Sequence, residues 1–346
     1  MRQIRVLVVD DSPTMCAVLK AELERDPEMV VVGTASNPMA ARVAIKALNP
    51  DVLTLDIRMP GMDGLSFLEK LMRLRPMPVV VVSSEVAGSR NATSVKALAL
   101  GAYDVFLKPR DGTRPHAYDP LRERVRGASE MRVLMRVPPE RNAACPDFAP
   151  NGRIVAIGSS TGGVDALVTL ISAFPENCPP TVVTQHMPES FTASLAARLD
   201  SKSAAEVREA TNGAPLLPGR IYIAPGGTRH LEVIGRDKRV CRLRDGPTVN
   251  GHRPSVDVLF HSVARIGAAA LGVILTGMGD DGARGLLAMR RAGARTLGQD
   301  EGSSLVYGMP RVAHEMGAVE RQVPLSRMGR AILDRCNAKV DPAQVA

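Results

Sequence analysis

Apolar runs of four to six residues alternate along most of this chain with longer stretches in which apolar positions recur every three or four residues. Ile4–Val9 is the first run. A helical period begins after Ser12, with Pro13 at an early position where its missing N–H costs nothing. Residues 30–33 form a second run before a helical pattern over Pro38–Leu48, and Val52–Leu55, 79–82 and 104–107 complete a set of five. Strands alternating with helices at this spacing predict a doubly wound parallel sheet.

A second set of runs follows a break. Residues 127–152 hold Pro138, Pro139, Pro146 and Pro150 with mixed charge and no sustained apolar period, which reads as a linker with a helical piece near 130–135. Beyond it, strand runs at 154–157, 181–184 and 271–275 alternate with helical patterns at 164–171 and 283–292. The expected organisation is one α/β domain over 1–125, a linker over 126–151 and a second α/β domain over 152–342. The length of 346 residues agrees, because it exceeds the usual single core.

Composition changes this picture only by exclusion. The five cysteines (Cys16, Cys145, Cys178, Cys241, Cys336) are scattered without a C-x-x-C pair, which argues against a disulfide framework or a structural zinc site. The start shows no signal-peptide pattern and no apolar run approaches a membrane span, so a cytoplasmic protein without membrane insertion is expected. The net charge of +8 is spread over both halves. Its densest cluster, Arg236, Lys238, Arg239, Arg242 and Arg244, alternates with apolar residues in a strand-rich region. It reads as a solvated strand face, not a nucleic-acid surface.

The five N-terminal strands deliver Asp10 and Asp11, Asp56, Ser83 and Lys108 to their carboxyl ends. In a parallel sheet such groups converge at a switch point. Clustered carboxylates are costly unless a cation neutralises them, and an all-oxygen set suits Mg²⁺. Any one of these aspartates alone is an ordinary turn residue or helix cap; five such side chains at five strand ends are not. With Asp56-Ile57-Arg58-Met59-Pro60-Gly61-Met62-Asp63-Gly64 and Lys108-Pro109, residues 1–125 resemble the receiver domains of two-component response regulators, a flavodoxin-like fold. The resemblance implies phosphorylation of Asp56 by a histidine kinase, Mg²⁺ held by Asp10, Asp11 and Asp56, support from Lys108, switch positions at Ser83 and Phe106, and a cis bond at Lys108-Pro109.

In the second half, Gly158-Ser159-Ser160-Thr161-Gly162 fits G-x-S-x-G between a strand run and a helix, a turn that exposes a nucleophilic serine beside backbone N–H donors. The bland alternative is the glycine-rich first turn of a nucleotide-binding domain. A base and an orienting acid are then required. His186 ends the run at 181–184, and Asp281 lies between the run at 271–275 and its helix. His186 could equally be a satisfied core histidine and Asp281 a helix N-cap, with Asp280 its rival for the acid role. Ser159 adds a second hydroxyl beside Ser160. His116, His230, His252, His261 and His314 have no comparable placement.

Residues 152–340 resemble the catalytic domain of the chemotaxis protein-glutamate methylesterases, on Ala156 to Gly163, Gln185-His186-Met187-Pro188, Tyr222 to Gly226, His252-Arg253-Pro254-Ser255-Val256-Asp257, Leu275 to Gly282, Gln299-Asp300-Glu301 and Tyr307 to Pro310. Ser159 and Asp280 depart from the alanine and asparagine usual there. The resemblance implies a Rossmann-like serine hydrolase domain with a Ser160, His186, Asp281 triad, and oxyanion support from the N–H groups of Thr161 and Met278. It implies no cofactor for the ester reaction. The substrate would be glutamyl methyl esters of methyl-accepting chemoreceptors, with glutamine deamidation as a second reaction. A chemotaxis histidine kinase would be the phosphodonor, and phosphorylation would relieve inhibition by the receiver. Three alternatives compete: a DNA-binding output, a nucleotide-binding module and a hydrolase fold without activity. A helix-turn-helix output would be all-α, a dinucleotide fingerprint would read G-x-G-x-x-G, and the triad disfavours the third.

Overall fold

Buried strands explain the apolar runs. A computed structural model describes residues 3–59, 63–84, 89–109, 111, 116–130 and 148–340, and the chain divides into two units, Met1–Arg136 and Val137–Ala346. In the first, β1 (Ile4–Val9), β2 (Met29–Ala35), β3 (Val52–Leu55), β4 (Val79–Ser84) and β5 (Asp104–Lys108) alternate with α1 (Pro13–Leu23), α2 (Pro38–Leu48), α3 (Gly64–Leu74), α4 (Ser89–Ala99) and α5 (Asp119–Ser129). The strands are all parallel in the order β2-β1-β3-β4-β5, the flavodoxin-like order with its switch point beside β1 and β3. All of β3 is buried, as a sheet covered on both faces requires. Capping sets two of the helix starts. The Ser12 hydroxyl accepts from the Met15 N–H at 3.3 Å and the Asn37 carboxamide from the Ala40 N–H at 2.9 Å, each just before a proline.

The second unit contains β6 (Ile154–Ser159), α6 (Gly163–Ile171), β7 (Thr181–Gln185), α7 (Glu189–Asp200), β8 (Glu206–Glu209), β9 (Arg220–Ile223), β10 (Arg229–Ile234), β11 (Val240–Asp245), α8 (Val256–Ala264), β12 (Ala270–Ile274), α9 (Ala283–Arg291), β13 (Arg295–Gln299), α10 (Met309–Glu315), β14 (Arg321–Val323) and α11 (Leu325–Cys336). Seven strands run parallel in the order β14-β13-β12-β6-β7-β9-β8. Without the edge strand β8 this is the dinucleotide-fold order, with the chain reversing direction across the sheet between β6 and β12. Its core on one face packs Ala156, Val182 and Ile274 against Val256, Phe260 and Leu286 of α8 and α9. β10 and β11 form a separate antiparallel hairpin, where Arg242 and Arg244 both bind Glu232. That pairing accounts for part of the basic cluster.

Two boundaries shift. Helix α5 runs to Ser129, past residue 125, because Val125 and Ala128 are buried on its inner face. At the other end the Ala149 N–H donates to the Asn337 carboxamide and Asn151 to the Cys336 carbonyl, so residues 148–151 are tied to the second unit. Residues 131–147, including most of the helical piece expected near 130–135, lie outside the described residues. No helix among the described residues is long and apolar enough to cross a membrane.

Candidate active site

Strand register brings the serine and the histidine to adjacent strand ends. Ser159 pairs with Gln185 across β6 and β7, so Ser160 and His186 are the next residues on neighbouring strands. The His186 N–H donates to the Ser159 carbonyl at 3.0 Å, and the Ser160 N–H to the Thr276 carbonyl at 3.0 Å just past β12. Gly277 allows that approach: a Cβ there would stand 2.7 Å from the Ser160 Cβ and 2.3 Å from the Met309 Sδ. Ser159 is fully buried and its hydroxyl donates to Gln185 Oε1 at 2.7 Å, while Gln185 Nε2 donates to the Ser160 carbonyl at 2.8 Å. The two hydroxyls therefore differ sharply: Ser159 is consumed by the core, whereas Ser160 is partly exposed.

His186 Nε2 meets Asp281 Oδ2 at 2.7 Å, and its Nδ1, also buried, makes no hydrogen bond among the described residues. A carboxylate accepts only, so the proton sits on Nε2 and leaves a lone pair on Nδ1. No Ser160–His186 hydrogen bond is formed among the described residues. Asp281 is 1% exposed and richly supplied with donors: the N–H groups of Val256 (2.7 Å) and Asp257 (3.2 Å), the Ser255 hydroxyl (2.8 Å) and Asn250 Nδ2 (2.9 Å). Its carboxylate thus lies on the N-terminus of α8, where free N–H groups and the helix dipole favour negative charge. Reciprocally, Asp257 of α8 accepts from the Gly285 N–H of α9 at 2.7 Å. Burial pushes the Asp281 carboxyl up, but the His186 contact and the backbone and Asn250 donors outweigh it and hold it down at about 2. Asp280 is exposed and stands 4.0 Å from Arg284.

Two residues escaped the sequence reading. The ring of His252 stacks on that of His186, with centroids 3.6 Å apart and planes at 8°. Burial and the neighbouring His186 push the His252 imidazole below its ordinary value, against Asp281 and Asp280. Asn250, two residues earlier, donates to both Asp281 and Asp257. The available signal was Asn250-Gly251, a dipeptide that favours tight two-residue turns. His230, by contrast, is a satisfied core histidine, accepting from the Ser255 N–H at 3.2 Å and pairing with the Pro247 carbonyl at 2.8 Å. The Thr161 N–H donates to nothing among the described residues, and the Met278 side chain is exposed beside this edge.

In the first unit, carboxylate oxygens of Asp10, Asp11 and Asp56 lie within 4.8 Å of one another. Lys108 Nζ bridges Asp10 Oδ2 at 2.7 Å and Asp56 Oδ2 at 2.6 Å. Burial raises the Asp10 carboxyl despite Lys108 and the Ser12 N–H. Lys108 is itself raised: burial lowers it, but both carboxylates outweigh that. Ser83 on β4 is buried, and Phe106 on β5 packs on Tyr118 with ring centroids 5.8 Å apart. The Lys108-Pro109 bond is trans; the cis peptide among the described residues is Arg253-Pro254.

An acid-and-lysine sheet edge in one unit and a Ser, His, Asp edge in the other define a response regulator with an enzymatic output. Comparison narrows the class. Residues 6–117 match the response regulator receiver domain and residues 155–332 the CheB methylesterase domain. The chain is 58% identical to the protein-glutamate methylesterase/protein-glutamine glutaminase 1 of Caulobacter vibrioides, across 98% of this chain and 100% of that one. It is 55% identical to the corresponding protein of Agrobacterium fabrum, across 98% of each. The second unit is similar to the crystal structure of the Thermotoga maritima CheB methylesterase catalytic domain, at 39% identity and a TM-score of 0.52, covering 53% of this chain and 98% of that one. The chain therefore belongs to the CheB methylesterase family.

Proposed function

We propose that this chain is a phosphorylation-activated protein-glutamate methylesterase that hydrolyses glutamyl methyl esters of chemoreceptors to glutamate and methanol, and deamidates receptor glutamines at the same site. The observation that carries the reading is the His186–Asp281 pair. It fixes the tautomer and leaves a buried, unpartnered Nδ1 on the strand end next to Ser160. Nδ1 takes the Ser160 proton as the oxygen attacks the ester carbonyl, and Asp281, held ionised, balances the imidazolium. The N–H groups of Thr161 and Met278 receive the oxyanion. The imidazolium protonates departing methanol, and His186 then activates water to release the glutamate side chain. With an amide substrate the same steps expel ammonia.

In the receiver, Asp56 accepts the phosphoryl group from a chemotaxis histidine kinase, and Lys108 and Ser83 bind its oxygens. Asp10, Asp11 and Asp56 suit a Mg²⁺ ion, since three close carboxylates, with Asp10 raised by burial, meet the single ammonium of Lys108. Bound there, the cation would neutralise charge that opposes phosphorylation. Methanol release from methylated receptor, with and without a phosphodonor, tests the whole reading. The expected result is a basal rate that the phosphodonor raises; no release under either condition overturns it.

A further inference from the structure

We propose that the turn at Asn250-Gly251 is a positioning device for the esterase reaction, in which Asn250 holds the Asp281 carboxylate and His252 holds the His186 ring. The inference rests on the esterase reading above and assigns Asn250 and His252 as positioning residues for it.

The turn is built for two central residues with positive φ. Val249 and His252 exchange both backbone hydrogen bonds, at 3.0 and 2.9 Å, and between them Asn250 has φ 51° and Gly251 φ 77°. Those are the signs a type I′ turn needs, and asparagine tolerates them better than most residues. A turn alone would not explain where the side chain goes. Asn250 Nδ2 donates one hydrogen to Asp257 Oδ2 at 2.7 Å and the other to Asp281 Oδ1 at 2.9 Å. The ionised Asp281 oxygen accepts only, so the group facing it must be the amino group and not the carboxamide oxygen. One neutral side chain thereby spans the two carboxylates that terminate α8 and α9, and damps their repulsion.

The next side chain out of the same turn that reaches the site is His252, flat on His186 at 3.6 Å. A stacked ring on that face opposes tilting and flipping of the His186 ring, which keeps Nε2 on Asp281 and leaves Nδ1 as the open nitrogen. A charged imidazole stacked there would oppose the imidazolium formed during reaction, and burial together with His186 keeps His252 below its ordinary value. The charged groups around this stack are Asp281 in contact, Asp280 exposed beside it and Asp257 behind Asp281. Arg253 of the same loop is turned away, donating to the carbonyls of Gly227 and Gly246, and Arg284 stands at Asp280.

The turn permits variants that spare the backbone. Asn250→Gly and Asn250→Asp both keep residues suited to positive φ before Gly251, so each isolates the side chain. Full-length Asn250→Gly should stay folded, melting somewhat below wild type, and lose kcat by about ten- to a hundredfold, the worth of a hydrogen bond to a charged group, with KM little changed. Asn250→Asp should also displace the acid limb of kcat/KM to higher pH, by about one unit, because a third carboxylate favours the imidazolium. His252→Phe, which keeps a stacked plane, should retain more kcat than His252→Ala. Wild-type kcat and an unmoved acid limb in both Asn250 variants would overturn the proposal, as would equal loss in the two His252 variants. If wild type itself releases no methanol, the function reading has failed. The proposal is then decided by NMR titration of the His186 imidazole in full-length Asn250→Asp: an upward shift supports it and an unchanged titration overturns it.

Discussion

Asp10, directly after β1, and Asp281, in the loop between β12 and α9, both lie at the carboxyl edge of a parallel sheet and each is 1% exposed, yet their carboxyls move in opposite directions. Asp10 is raised by burial. It receives the Lys108 ammonium and the Ser12 N–H, and Asp56 and Asp11 crowd it. Asp281 is held at about 2 by the imidazole, two α8 N–H groups, the Ser255 hydroxyl and Asn250. Burial does not decide the charge; the supply of donors does. The receiver edge is short of positive charge and suits an incoming cation, while the hydrolase edge supplies its own compensation.

The largest effect that would break this contrast lies at the hydrolase edge. Ser160→Ala and His186→Ala should each lower methanol release by about four to six orders of magnitude, and the double variant should be little worse, because such groups act as a unit. A double variant much slower than either single would show that they do not work together.

Next come the two carboxylates. Asp281→Asn should fold but lose about four orders of magnitude in kcat, the scale set when a triad acid becomes an amide. Asp280→Asn, altering an exposed group, should change it by less than about twofold. At the receiver edge, Asp56→Asn or removal of Mg²⁺ by chelation should leave basal turnover intact and abolish the response to a phosphodonor. Loss of basal turnover on chelation would erase the distinction between the two edges.

The smallest effect is on stability. Asp281 is depressed from an ordinary 3.8 to about 2, so its contribution is fully present above about pH 4 and is lost as pH falls toward 2. Lys108 is raised above its ordinary 10.5, so its contribution is present below that value and is lost as pH rises through the folded value. Asp10, raised, has the sign opposite to Asp281: its cost exists while it is charged and is relieved on acidification. Hydrogen exchange across pH in the full-length chain should therefore show β6, β7 and β12 losing protection at the acid end and β4 and β5 at the alkaline end. Parallel loss in both units would contradict it.

Most of the strand framework was legible because a strand covered on both faces is largely apolar, and β3, β6 and β7 are buried along their whole length. Ser160 and His186 were legible for the related reason that polar residues directly after buried strands stand at a sheet edge, and Asp281 because it closes the loop from such a strand into its helix. The long excursion through β8 to β11 was less so: β8 and β11 carry charged residues, and β10 and β11 leave the main sheet. The reach of the first domain past residue 125 was less legible because the inner face of α5 is built from Val125 and Ala128 amid arginines.

The amino-acid order alone determined which strands are buried and which side chains follow them, since both depend on local patterning of apolar and polar residues. It also placed Asn250 before Gly251 and so made a tight turn there. Tertiary structure decided that this turn folds back onto His186 and Asp281, that Ser159 is spent on Gln185, and that α8 and α9 each hold an acid belonging to the other. Those contacts join residues some 25 to 95 positions apart. Only the packing of whole helices against one sheet brings their donors and acceptors within bonding distance, and no short-range pattern encodes that.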